Sequence, residues 1–389
     1  MLTRNIRIGY LASDSIHDKR ASSGTMYTMA RVLESTGANV VEIPVRGETL
    51  IYRIYRKAVK EAVRFFPRLK SRLPRRRLWS GRIAARRLDM GLVDGCDVLF
   101  APMKSGVLCF LETKVPVIYF SDATFHLMID YYWFDLPKQD IAEGELIEKT
   151  AVEKATALVY PCHWAADSAV KDYGQPQDKI TLAYFGPNID PAEITSHVFV
   201  FDGHLDLLFV GVDWKRKGGD IAVAACKWLN DNGVDATLHV VGIKCLDPGI
   251  ASLPYVENYG FLNKNIDGDY SKLMSLYDQA DCFLLPTLAE CTGVSFCEAS
   301  AYGLPCFTHD TGGVGDYVLE GESGHLLPLG SSGEDFGKAI KRSLEDGEMR
   351  KLSIGASRVA RERLNWDAWA DSMEEVIGKV VRSSACAQE

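Results

Sequence analysis

The chain has 389 residues, 47% of them apolar and 25% charged, and carries a net charge of −8. This is ordinary globular composition with length for two or more domains, and it excludes collagen-like, low-complexity and disordered classes. The total argues against a nucleic-acid partner, yet residues 51–87 hold 14 Lys and Arg against one acid, Glu61, a net of +13 that leaves −21 for the remainder.

The N-terminal MLTRNIRIGYLAS lacks the apolar core and cleavage site of a secretory leader. No apolar run approaches the roughly 18 residues that a spanning helix needs. The ten cysteines form no CxxC pair, and several lie in apolar runs such as DCFLLP. Reduced core thiols and a cytoplasmic compartment are therefore expected, with no disulfide framework and no zinc site.

In chain order, IRIGYLAS (around 7–13), VVEIPV, DVLFAP, VPVIYF, ALVYP and ITLAYFG read as buried strands, with amphipathic helical patterns in many of the gaps. A second series follows: LDLLFVG, ATLHVVG, DCFLLP, LPCFTH and GHLLP. Continuous apolar strands between helices predict parallel sheets covered on both faces. The polar stretch FGPNIDPAEITSHVFVFDG is the linker candidate. The expected architecture is α/β, with two Rossmann-like, doubly wound domains at 1–196 and 197–365. Helical patterns near 333–346 and 366–382 follow the last strand, with a break at Asn365-Trp366-Asp367, and a C-terminal helix of about 366–389 is expected to pack back on the first domain.

In the basic stretch, Ile51, Tyr55, Ala58, Ala62 and Phe65 recur at helical spacing, while Arg53, Arg56, Lys57, Lys60 and Arg64 fall on a different face. Pro67 is expected to end this helix, with SRLPRRR following as a loop. Such a helix either docks on an anionic bilayer or covers the core with a solvated basic face.

Ligands of open α/β sheets bind beyond the carboxyl ends of the strands, so chemistry is sought there. The segment DCFLLPTLAECTGVSFCEASAYGLP (281–305) places Glu290 on a loop and Glu298 eight residues later in a helix from about Gly293 to Ala301, with Thr292 as its expected cap. The amides of Gly293 and Val294 would attract a phosphate or a polar sugar, and the carboxylates suit paired hydroxyls. In LLFVGVDWKRKGGDIAVAACKWL (207–229), Arg216 and Lys217 precede a glycine turn and a helix, where cations can hold a diphosphate. Gly312-Gly313 and Gly24 mark two further turns where backbone can approach a ligand, and alone each is also an ordinary turn.

Together these segments resemble family-4 glycosyltransferases, which are retaining, nucleotide-sugar-dependent enzymes of the GT-B fold. AECTGVSFCEASAYGLP is similar to the family's Glu-x7-Glu element, and FVG…KG, Gly312-Gly313, EGESGHLLP and YFGPNID fall in the family's order. The resemblance covers nearly the whole chain. It implies two domains facing across a cleft, a hinge near 190–203, and transfer of a sugar from a UDP- or GDP-sugar to an acceptor hydroxyl. By the resemblance, Arg216 and Lys217 would bind the donor diphosphate, Glu298 the ribose, and Glu290 with the amides of Gly293 and Val294 the transferred sugar. Gly24 would meet the phosphates from the first domain, and His126 would position the sugar, with Asp122 as the alternative. His126, Glu290 and Lys217 form the implied catalytic set. No metal or cofactor is implied, because the two cations can neutralise the leaving diphosphate. The resemblance also implies front-face attack with the diphosphate taking the acceptor proton.

The sequence departs from the family at Val212, where many members have Arg, and at Gly315-Asp316, where Pro-Glu is usual. The expected setting is cell-surface polysaccharide or glycolipid synthesis on a lipid-linked or anionic acceptor, with peripheral attachment to the inner face of the plasma membrane. A GT-B epimerase and a non-catalytic nucleotide-sugar-binding protein are the alternatives, and no nucleic-acid partner is expected.

Overall fold

A computed structural model describes residues 6–18, 24–46, 50–69 and 77–386. The chain divides into two compact units, Met1–Ala183 with Trp369–Glu389, and Tyr184–Ala368. Each is built on one parallel, six-stranded sheet.

The first sheet holds β1 (Arg7–Ala12), β2 (Asn39–Pro44), β3 (Val98–Pro102), β4 (Val117–Phe120), β5 (Ala157–Tyr160) and β6 (Ile180–Leu182), in the order β2-β1-β3-β4-β5-β6. The second holds β7 (Leu205–Val210), β8 (Ala236–Val241), β9 (Val256–Asn258), β10 (Cys282–Leu285), β11 (Cys306–His309) and β12 (Gly324–Leu327), in the order β12-β11-β10-β7-β8-β9. The central strands β3, β4, β5, β10 and β11 are buried along their whole length, as unbroken apolar runs require when helices cover both faces. Both series expected from the sequence are present, and β9, whose Val-Glu-Asn holds a single buried apolar residue, did not stand out. The order reverses beside β1 in the first sheet and beside β7 in the second, and such switch points are where ligands of open α/β sheets bind.

The division falls before the expected boundary at 196/197. Residues 184–196 pack with the second unit: the Phe185 amide donates to Tyr317 Oη (3.2 Å), the Asp190 amide to Tyr270 Oη (3.0 Å), and Tyr302 Oη to the Glu193 carbonyl (3.1 Å). At the other end, Asn365 Oδ1 accepts from the Ala368 amide at 2.8 Å and starts the helix Trp366–Cys386. In the first unit, Trp369 is fully buried and edge-on to Phe100 at 6.3 Å. A helix Glu348–Glu362, not anticipated from the sequence, fills the interval before this restart.

The basic stretch does form a helix, Leu50–Phe65, but its inward face differs from the expected one. Tyr52 is buried, edge-on to Trp79 at 5.4 Å, and Tyr55, Val59, Ala62 and Val63 are half-buried. Ala58 and Phe65 are exposed, so the packed stripe runs through Tyr52 and Val59 and leaves those two positions out. The side chain of Ile51 lies outside the described ones. Arg53, Arg56, Lys57, Lys60 and Arg64 all face outward, together with Ile54, Phe65 and Phe66. Residues 71–76, most of SRLPRRR, lie outside the described residues.

Nine cysteines among the described residues stand outside any disulfide, and burial pushes the thiols of Cys226 and Cys306 up to about 12. Such thiols pack as small apolar groups. Among the described residues no helix is long and apolar enough to cross a membrane.

One acid is buried in the first unit against a tyrosine. Glu148, on the helix Lys138–Lys154, accepts from Tyr119 Oη at 3.0 Å, and burial pushes its carboxyl up to about 7. The folded value lies above the unfolded one, so the stability linked to this proton is fully present below about pH 4.5 and is lost as pH rises through about 7. Glu148→Gln keeps an acceptor for Tyr119 and has no charge to bury. Its melting temperature should gain on the wild type between pH 5 and pH 8, by an amount corresponding to roughly 3 kcal/mol. A gap that stays constant across that range contradicts this reading.

Candidate functional site

The second sheet's reversal lies between β7 and β10, and the loops leaving these two strands carry the expected charged residues. After β7, residues 213–218 turn tightly: the Arg216 amide donates to Asp213 Oδ1 (3.1 Å) and the Lys217 amide to the Asp213 carbonyl (2.9 Å). Gly218 closes the turn at φ +75°, and a Cβ there would stand 2.0 Å from the Pro286 carbonyl oxygen. Only glycine fits so close to the β10 loop. The helix Gly219–Asp231 then begins with no side-chain cap on its first-turn amides, and Trp214 is pinned across its start by Asp220 at 2.7 Å.

The β10 loop returns the contact. The Leu288 amide donates to the Arg216 carbonyl (2.7 Å), and Arg216 Nη1 donates to the Ala289 carbonyl (2.8 Å) and reaches Glu290 Oε2 (3.3 Å). Lys217 Nζ pairs with the same carboxylate oxygen. Both Lys217 and Glu290 are buried. Arg216, Lys217 and Glu290, the acid 73 residues beyond the lysine, thus form one cluster, and Asp213 Oδ2 lies 3.8 Å from Arg216 Nε at its edge.

The helix Val294–Ala301 starts from Gly293 in a left-handed conformation, φ 87°, with no side-chain cap. The cap is therefore Gly293 and not Thr292. The left-handed turn sets the chain into the helix, and it leaves the amides at the start of the helix without the side-chain acceptor that a Thr cap would supply. Glu298, on this helix, is 3% exposed. One of its oxygens pairs with Lys264 Nζ and the other accepts from Tyr277 Oη at 3.0 Å. Burial, with the Glu298 carboxylate alongside, holds the Tyr277 hydroxyl well above its usual range, so it remains a donor. Gly312 is left-handed (φ 57°), and the Gly313 amide donates to the Glu290 carbonyl at 3.3 Å, which ties the third glycine segment to this site.

The structure thus gathers Arg216, Lys217 and Glu290 directly, with Gly293 and Gly313 bonded into or next to the same loop. Two partners of Glu298 went unread in the sequence. Tyr277 sits in LYDQAD just before β10 and reads as a core residue, and Lys264 sits in a polar loop with no pattern around it. The departure at Gly315-Asp316 also has a structural use: Asp316 is buried and paired with Arg363 at 2.9 Å, whose guanidinium lies 3.9 Å over Tyr184.

The remaining expected residues belong to the first unit. Gly24 is left-handed (φ 89°) at the start of the helix Thr25–Ser35, which follows β1. His126 follows β4 on the short helix Phe125–Met128; it is exposed, and its Nδ1 meets Glu145 Oε1 at 2.9 Å. Glu145 in turn accepts from Tyr173 Oη at 2.7 Å, so the imidazole is held by an oriented carboxylate. Asp122 is half-buried just beyond β4.

The family model for "Glycosyl transferases group 1" matches residues 194–358, which span both loops of the charged cluster and Glu298. The D-inositol 3-phosphate glycosyltransferase of Rhodococcus jostii is 26% identical over 252 residues, covering 60% of this chain and 55% of the relative. The putative colanic acid biosynthesis glycosyltransferase WcaL of Salmonella typhimurium is 27% identical over 212 residues, covering 51% of this chain and 50% of WcaL. The chain thus spans about half the length of these curated relatives. Among solved structures, Anabaena Alr3699/HepE in complex with UDP aligns with a TM-score of 0.60 at 13% identity, over 97% of this chain and 100% of that one. The resemblance to GT-B glycosyltransferases of family 4 holds, and the fold is theirs.

The turn at Gly218 is the most constrained point of the site. Gly218→Ala forces a left-handed alanine against the Pro286 carbonyl and should destabilise the second unit by about 2 kcal/mol or more, read as a lower melting temperature. A wild-type melt would show that the two loops do not need this contact.

Proposed function

We propose that the chain is a retaining glycosyltransferase that moves a sugar from a UDP- or GDP-sugar to an acceptor hydroxyl. The observation that carries this is the Arg216–Lys217–Glu290 cluster at the β7–β10 reversal, one loop away from the buried Glu298. The match of residues 194–358 to the glycosyl transferase model and the likeness to the UDP-bound Anabaena protein support the same donor class.

In this reading the donor diphosphate takes the place of Glu290 on Lys217 and Arg216. An Arg fork and a Lys point charge suit its oxygens, and the amides at the start of the helix Gly219–Asp231 add to the field. Release from the cations frees the Glu290 carboxylate to accept hydroxyls of the transferred sugar. As the glycosidic bond breaks, negative charge grows on the diphosphate, and the cations stabilise it without any metal. Neither Glu290 nor Glu298 acts as nucleophile. A nucleotide diphosphate is already a good leaving group and needs no carboxylic acid to protonate it, unlike a glycoside. The leaving diphosphate accepts the acceptor's proton on the same face. Within the first unit, Glu145 on Nδ1 sets the tautomer of His126.

The acceptor is lipid-linked or anionic, in polysaccharide or glycolipid synthesis. This draws on the outward face of the helix Leu50–Phe65, where five cations stand beside exposed Ile54 and Phe65, with Phe66 just beyond the helix end. A cationic face with protruding apolar side chains fits an anionic bilayer, at about 1 kcal/mol per cation near the surface.

Two measurements test these readings. Lys217→Ala and Glu298→Ala should each lower acceptor-dependent release of nucleotide from the preferred sugar nucleotide by about 100-fold or more, the range of a lost charge-stabilising donor. Near-normal rates in both overturn the site, and release without any acceptor favours an epimerase-like or hydrolytic reaction. In the second measurement, the protein should sediment with liposomes containing anionic lipid at low salt and be released at high salt. Protein that stays in the supernatant at low salt refutes membrane attachment.

A further inference from the structure

Glu298 has two oxygens, and each is already engaged: one by Lys264 Nζ, the other by Tyr277 Oη at 3.0 Å. A carboxylate has about four lone-pair sites, so one site on each oxygen stays open. Two open acceptors on neighbouring oxygens are what the two hydroxyls of a vicinal diol can fill together.

The two donors hold the carboxylate in different ways. Tyr277 is fully buried, and its ring stacks on Tyr302 at 5.6 Å between centroids, so its hydroxyl is fixed by the core. Lys264 lies in the loop between β9 and the helix Asp267–Gln279, with its side chain 32% exposed. Its ammonium also reaches the Asn188 carbonyl at 3.5 Å. A carboxylate as deep as Glu298 is strongly disfavoured without a compensating cation, and the cation against it is Lys264.

We propose that Lys264 is a positioning residue for the donor's ribose: it compensates the charge of Glu298 and holds its oxygens so that the 2′- and 3′-hydroxyls dock on the two remaining lone pairs. This rests on the donor-site reading above and goes further than it. Neither the Glu-x7-Glu element nor the cations after β7 contain Lys264.

The test is calorimetric binding of UDP and 2′-deoxy-UDP, with GDP and 2′-deoxy-GDP in parallel, to wild type, Lys264→Ala, Lys264→Arg and Glu298→Gln, each checked for a folded melt. The wild type should prefer the ribonucleotide by about tenfold, the scale of one hydrogen bond to a charged group. Lys264→Ala should lose most of that preference, with a smaller loss for the deoxynucleotide, and Lys264→Arg should recover it. In turnover, Lys264→Ala should raise the donor KM and leave kcat near the wild-type value. A Lys264→Ala variant that keeps the wild-type ratio overturns the proposal. So does one that weakens both nucleotides equally, which would make Lys264 only a general attractor of phosphate. If Glu298→Gln abolishes the preference while Lys264→Ala keeps it, the donor site stands and the role of Lys264 falls. If Glu298→Gln keeps the preference, or the wild type binds neither nucleotide, the donor-site reading falls and the proposal with it.

Discussion

β7 pairs with β10 on one side and β8 on the other, so the chain must leave adjacent strands toward opposite halves of the sheet. No crossover helix can cover the gap between them, and two loops are left to close it against each other. Their closure is specific: a left-handed glycine under a carbonyl, a backbone bond from Leu288 to Arg216, and an Arg–Ala289 bond across the gap. The charged cluster of the second unit hangs on that loop-to-loop seam. It also explains why the cations come from one loop and the carboxylate from the other.

The site contains two buried carboxylates, and each has a lysine. Buried ion pairs add little net stability, since desolvation offsets most of their attraction. Lys217 holds Glu290 on the strand-end loop, and Lys264 holds Glu298 on the helix. On the proposed donor reading, an incoming anion displaces the first pair because its charge replaces the lost one, and an incoming diol leaves the second pair intact.

The buried strands were legible because parallel sheets demand unbroken apolar runs, and such runs survive without any tertiary information. The Glu290–Glu298 spacing and the Arg216-Lys217-Gly218-Gly219 turn were legible because strand, loop and helix start are consecutive in sequence. Lys264 was not, since its partner lies 34 residues away and its own loop has no periodicity. The pairing of Asp316 with Arg363 was hidden for the same reason, and it gives the departure from the usual Pro-Glu a structural role. On the helix Leu50–Phe65, periodicity alone located the helix but not its inward face, because aromatic packing of Tyr52 on Trp79 outweighed the even stripe of apolar positions. The division between units moved for a related cause. The polar stretch 185–203 reads as a linker, yet bonds from Phe185 to Tyr317, from Asp190 to Tyr270 and from Tyr302 to Glu193 bind its first part to one side.

The chain passes between units twice, at 183/184 and at 368/369, so the first unit is discontinuous in sequence while the second is not. During synthesis, the second unit has all its residues before the first one does. Trp369, which packs beside Phe100 in the first unit, is made only after every residue of the second. Where domains fold as they emerge, the first unit thus receives its last helix, Trp366–Cys386, after the second is complete in sequence.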